Sequence, residues 1–149
     1  MLPALLFYYN MQLTEHFSLS EFVRSETASK KHIDNTPSQE VVENLLALCR
    51  NVLEPARVAF GEPIYITSGY RCPVLNKAVG GKPTSQHQYG EAADLQVRGV
   101  ENLRSLYNAI KSRGVFDQLL FESNGLKKWI HVSYTFHGNR RQAIDNYNV

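Results

Sequence analysis

The strongest constraint on the fold is a run of apolar residues at helical spacing. Val41, Val42, Leu45, Leu46, Cys49, Val52, Leu53 and Ala56 share one face, and Glu40, Glu43, Asn44 and Arg50 lie mostly on the other. A helix with one apolar face has to bury it against another layer, and a chain of 149 residues with 43% hydrophobic content has room for one core. Thr36-Pro37-Ser38-Gln39 supplies the start signal, with proline at the first helical position, where its missing N–H costs nothing. Pro55 is expected to kink this helix or mark its last turns, because the ring removes one backbone hydrogen bond and crowds the preceding turn.

The opposing layer is read from short β runs. Ile64 to Thr67 is β-branched and aromatic, and Ala92 to Val97 alternates with Ala93, Leu95 and Val97 on one side and Ala92, Asp94 and Gln96 on the other. Gln118 to Glu122 and Trp129 to Tyr134 form a hairpin around a loop containing Asn124-Gly125. Ser18-Leu19-Ser20-Glu21 has capping-box spacing and opens a short helix to about Arg24, with a polar stretch after it. Asn102 to Arg113 reads as a helix ended by Gly114, and the segment from Ser68 to Gly90 as mostly loop. The expected class is α+β, a small and mainly antiparallel sheet with helices on one side.

Sixteen basic and 14 acidic residues leave a net charge of +2 without a dense basic run, so nucleic acid is not expected as a partner. The opening Met1 to Asn10 is apolar, but it lacks a basic leader and a small-residue cleavage site and is too short to span a bilayer. No membrane insertion is expected, and synthesis in the cytoplasm is. Residues 1–12 are read as an N-terminal extension from an upstream start codon, and 13–149 as a single domain, expected to be a monomer. Cys49 and Cys72 are expected to be reduced thiols.

Three side chains from separate stretches carry metal chemistry. His87 sits in a loop, and Asp94 follows seven residues later on a strand facing away from the apolar side. His131 shares a strand face with Trp129 and Ser133, opposite Ile130 and Val132. Two imidazoles and a carboxylate suit Zn²⁺ and leave a fourth tetrahedral position open. From spacing alone, a histidine on a strand more often reads as a hydrogen-bonded structural residue than as a zinc ligand.

The motifs go further. Ser68-Gly69-Tyr70-Arg71, then Ser85-x-His87-x-x-Gly90-x-Ala92-x-Asp94, then Trp129-Ile130-His131-Val132-Ser133, in this order, resemble the M15 family of zinc D-Ala-D-Ala carboxypeptidases and related phage and bacterial wall peptidases. The resemblance covers roughly Leu13 to Tyr134. It implies the hedgehog/DD-peptidase type of fold, with one Zn²⁺ on the open face of the sheet held by His87, Asp94 and His131. It also implies a peptidoglycan stem peptide or muropeptide as substrate, and hence a site of action in the cell wall. Arg71 would stabilise the oxyanion or hold the substrate, with Ser85, Trp129 and Tyr70 as supporting or substrate-binding residues.

In one respect the sequence departs from that pattern. Several members of the family place a carboxylate three residues before the last histidine, where this chain has Lys128. Glu122, at the end of the preceding strand, is the substitute, because a hairpin brings it beside Trp129 to His131. Asp117 is the weaker candidate, since it precedes the strand. Lys128 also motivates an alternative reading, a zinc-stabilised binding module without turnover. His16, His32 and His137 have no partner spacing and read as solvated side chains.

Overall fold

A computed structural model describes residues 10–148 of the chain. Most of the expected N-terminal extension lies outside these residues. Within them, Met11 packs against the core and accepts the Leu19 N–H through its carbonyl at 2.9 Å. A hairpin of β1 (Gln12–Thr14) and β2 (Phe17–Ser18) leads into α1 (Leu19–Val23). Glu21 closes the start of α1 by accepting the Ser18 N–H at 2.7 Å, as the capping spacing required. The polar stretch that follows contains α2 (Glu26–Lys31), which the sequence pattern did not reveal because only Ala28 of it is buried.

The long apolar run forms α3 (Gln39–Leu48), a π turn (Cys49–Leu53) and α4 (Glu54–Phe60). Two details differ from expectation. Ser38 caps α3 by accepting the Val41 N–H at 3.2 Å, while Thr36 donates its hydroxyl and N–H to Asp34 at 2.6 and 2.9 Å and closes a separate turn. The helix is not ended by Pro55 but widened ahead of it. The Glu54 N–H bonds back to the Cys49 carbonyl, and Pro55 falls in the first turn of α4, where a missing donor is harmless. Asn51 Nδ2 donates to the Ala47 carbonyl at 2.8 Å within the widened turn, and Cys49, Val52, Leu53 and Ala56 all remain in the core.

The main sheet contains β3 (Tyr65–Ser68), β4 (Ala92–Gln96), β5 (Gln118–Asn124), β6 (Lys127–Ser133) and β7 (Gln142–Asn148), in the order β3-β4-β6-β5-β7. Every pairing is antiparallel except β5 with β7. Between β3 and β4 the expected loop contains a short helix, α5 (Pro73–Ala78), and a 3₁₀ turn (Gln86–Tyr89). The Cys72 sulfur caps α5, accepting from Leu75 N–H at 3.4 Å, and both cysteines are free. Helix α6 (Val100–Arg113) follows β4 and contributes Leu103, Leu106, Tyr107 and Ile110 to the core.

Period-two alternation decides which residues reach that core. Ile66, Ala93, Leu95, Leu119, Phe121, Ile130 and Val132 all join the cluster built with α1, α3, α4 and α6. Residues of the other parity, among them Asp94, His131 and Glu122, are displayed on the opposite face. No helix among the described residues is long and apolar enough to cross a membrane.

Asp117 is buried at the entrance to β5, and it is a clamp. Its carboxylate accepts the Arg140 backbone N–H at 2.8 Å, two guanidinium donors of the same residue at 3.0 and 2.8 Å, and Gln86 Nε2 at 3.0 Å. The Arg140 hydrogen bond, with the others, holds its carboxyl below the ordinary carboxylate value despite burial. A depressed carboxyl stabilises the fold above its unfolded value, and that contribution is lost as pH falls through the folded one. Asp117→Asn should therefore lower stability at neutral pH and flatten the loss of stability between about pH 5 and 2, read from urea midpoints across that window. An unchanged acid profile would deny the clamp its role.

Candidate metal centre

His87 rides on the 3₁₀ turn, which Ser85 opens by accepting the His87 N–H at 3.2 Å. Gly90 closes the turn at φ +72°, and a Cβ there would lie 2.7 Å from the Val41 carbonyl oxygen, so glycine is required both by conformation and by the helix behind it. The imidazole is buried, and its Nδ1 lies 2.7 Å from the Gly69 carbonyl. A carbonyl only accepts, so Nδ1 carries the proton and Nε2 presents a lone pair. That lone pair faces Asp94 Oδ1 at 3.3 Å.

Asp94 and His131 are register partners on β4 and β6, and His131 Nδ1 lies 3.1 Å from the same Oδ1. One atom from each of His87, Asp94 and His131 falls within 4.8 Å of the others, an arrangement that could hold a metal ion. Electrostatics agree. Burial pushes the His87 imidazole down towards its neutral form. Burial also pushes the Asp94 carboxyl up, but the two imidazoles outweigh it and hold it well below the usual carboxylate range. With His87 neutral, its Nε2 lone pair set against an ionised oxygen at 3.3 Å is unfavourable, so the contact calls for a proton on Nε2 or a cation between the two. The donor set of two imidazoles and one carboxylate fits a divalent ion of borderline softness.

Two charged groups flank the trio. Arg71 Nη2 is 3.6 Å from Asp94 Oδ2, its Nε donates to Ser68 Oγ at 3.0 Å and its Nη1 to Asn76 Oδ1 at 3.2 Å. Its guanidinium is therefore fixed from three sides. Glu122 Oε1 lies 4.0 Å from His131 Nδ1. Burial, helped by the charge of Asp94, raises its carboxyl above the ordinary glutamate value against the pull of His131, Arg71 and Lys82.

The other residues singled out in the sequence fall into place around this. Trp129 is half-buried and pairs in register with Glu122. Ser85 acts as the turn cap, and Tyr70 is buried in the core cluster. Lys128 stands three residues before His131 on a continuous strand, so it leaves the opposite face of the sheet and is exposed. On the face of the trio the nearby glutamate comes from β5 instead, as Glu122. His16 bonds to Glu54 at 2.6 Å instead of standing free in solvent, and His32 caps α2 in a left-handed conformation.

The sequence pattern did not reveal the parts that hold Arg71 and His87. Asn76 is almost fully buried and pins both Arg71 and the Lys82 carbonyl, at 2.9 Å for the latter. Gly69 was a motif residue without a task. A Cβ there would stand 2.6 Å from the Phe22 backbone, so only glycine lets its carbonyl reach His87.

Comparison with known proteins bears on the same residues. The family model described as Peptidase M15 matches residues 15–133. The zinc D-Ala-D-Ala carboxypeptidase of Streptomyces albus G is 38% identical over 69 residues, a stretch that is 46% of this chain and 26% of that protein. The match to the family model takes in β3 through β6 and every side chain of the trio, and on that basis the chain belongs to the peptidase M15 family.

Proposed function

We propose that this protein is a zinc metallopeptidase that hydrolyses a peptide bond in peptidoglycan stem peptides, as a D-Ala-D-Ala carboxypeptidase or as an endopeptidase of phage type. The observation that carries this reading is the meeting of His87, Asp94 and His131 within 4.8 Å, with Glu122 and Arg71 beside them. The name of the Streptomyces albus G relative supports zinc and the substrate class.

His87 Nε2, one Asp94 oxygen and His131 Nδ1 would hold the ion. When bound, zinc lowers the pKa of a water molecule and polarises a carbonyl. Glu122 accepts a proton at Oε1 from the attacking water and passes it to the leaving amine; its raised carboxyl suits both halves of that transfer. Arg71, already oriented, donates to the developing oxyanion or to a terminal carboxylate of the substrate. The Gly69 carbonyl keeps the His87 ring in one tautomer.

Glu122 on the face of the trio, with Lys128 on the opposite one, supports turnover over the alternative of a zinc-stabilised binding module without it. Purified muropeptides incubated with the zinc-loaded protein should release D-alanine or shortened stem peptides, identified by mass spectrometry. Chelation should stop the release and added zinc restore it. Full activity in metal-stripped protein would contradict the reading.

A further inference from the structure

Arg71 is fixed at its tip by Ser68, Asn76 and Asp94, and a residue far away in sequence fixes its root. Asn35 lies between α2 and α3 and is buried. Its Nδ2 donates to the Val23 carbonyl at 2.9 Å and to the Tyr70 carbonyl at 3.0 Å, and its Oδ1 accepts the Cys72 N–H at 2.8 Å. The last two bonds bracket residue 71. In extended backbone the carbonyl before a residue and the N–H after it point to the same side, and one side-chain amide can pair with both as a neighbouring strand would. The N–H of Arg71 itself points elsewhere, to the His87 carbonyl at 3.0 Å.

We propose that Asn35 is a positioning residue for Arg71: its amide sets the backbone on both sides of that residue, so the guanidinium stands beside Asp94 before any substrate arrives. The inference rests on the role proposed for Arg71 in catalysis. Both amide hydrogens and the carbonyl of Asn35 are engaged, which makes the near-isosteric Asn35→Asp a selective probe. It keeps an acceptor for Cys72 and sets an oxygen against the Val23 and Tyr70 carbonyls.

Asn35→Asp should lower kcat/KM on stem peptides by about tenfold to a hundredfold, as expected for a misplaced orienting group. Zinc affinity, measured by competition with a chromophoric chelator, should stay within about threefold, because no metal-facing atom is touched. In an Arg71→Ala background the same change should cost less than about threefold, since the residue it positions is gone. A merely structural asparagine would cost as much in either background, and that result overturns the proposal. Should Asn35→Asp fail to fold, Asn35→Ser carries the same cycle.

A readout without turnover separates this inference from the peptidase reading. In the metal-free protein the Arg71 amide, bonded to the His87 carbonyl, should exchange with solvent at least about tenfold faster in the variant while β4 amides hold. If the parent protein hydrolyses no stem peptide, the proposed function fails and the exchange result still decides Asn35. Unchanged exchange at Arg71 rejects it.

Discussion

Glu122→Gln is expected to lower kcat by about 10²- to 10⁴-fold, the usual worth of a positioned general base, while the protein keeps its metal. Gln preserves the shape and the hydrogen-bonding reach of the side chain but cannot take a proton. Glu122 is 4.0 Å from His131 and belongs to none of the three ligand positions, so zinc content and the zinc-induced rise in Tm should match the parent. KM should change little, because the interaction removed belongs to the transition state. Steady-state kinetics on a defined stem peptide, with metal analysis of the same samples, gives both answers. Retention of full turnover would move the base elsewhere. Asp117 is a poor refuge for it, as its carboxylate is taken up by Arg140 and Gln86.

The second large effect concerns the metal. His87→Ala should abolish detectable turnover and weaken zinc by more than the roughly 10–100-fold that loss of an outer partner costs. The folded metal-free variant should also lose about 2–4 kcal/mol, since a buried ring and its bond to the Gly69 carbonyl disappear together. Comparing Tm with and without zinc separates these two losses. At a thousandfold excess over Kd, the proposed zinc should stabilise the parent by about 4 kcal/mol, and most of this increment should be lost in the variant at the same zinc concentration. A variant that still gained the same Tm on adding zinc would show that His87 is not a ligand.

Much of this site was legible in the sequence, for a physical reason. Strand alternation alone puts Asp94 and His131 on the side away from Leu95 and Ile130, and a short hairpin carries Glu122 to the same side. The helical run from Val41 to Ala56 was equally plain, because a buried face imposes its period on the residues. What stayed hidden has no such period. Helix α2 buries one alanine, and α5 is capped by a cysteine sulfur, which is not a capping residue anyone would search for. The π turn lies just ahead of Pro55, and Cys49, Val52, Leu53 and Ala56 remain in the core around it. Asn35 reads locally as one more polar residue before a proline-containing turn. Its task exists only once the chain has brought Tyr70 and Cys72 to it.

Strand β7 is also without an alternating signature, and its pairing with β5 has a mechanical meaning. If Glu122 is the base, β5 carries the group that relays the proton, and it lies between two hydrogen-bonded neighbours instead of at a free margin. Sideways drift of that rail would have to break ladder bonds to β6 and also those to β7, whose register shifts between Leu120 and Glu122. A proton relay depends on tenths of an ångström, so the final ribbon of the described chain, which lies past the stretch matched to the family and never approaches the ligands in sequence, acts as a stiffener for the step at the centre.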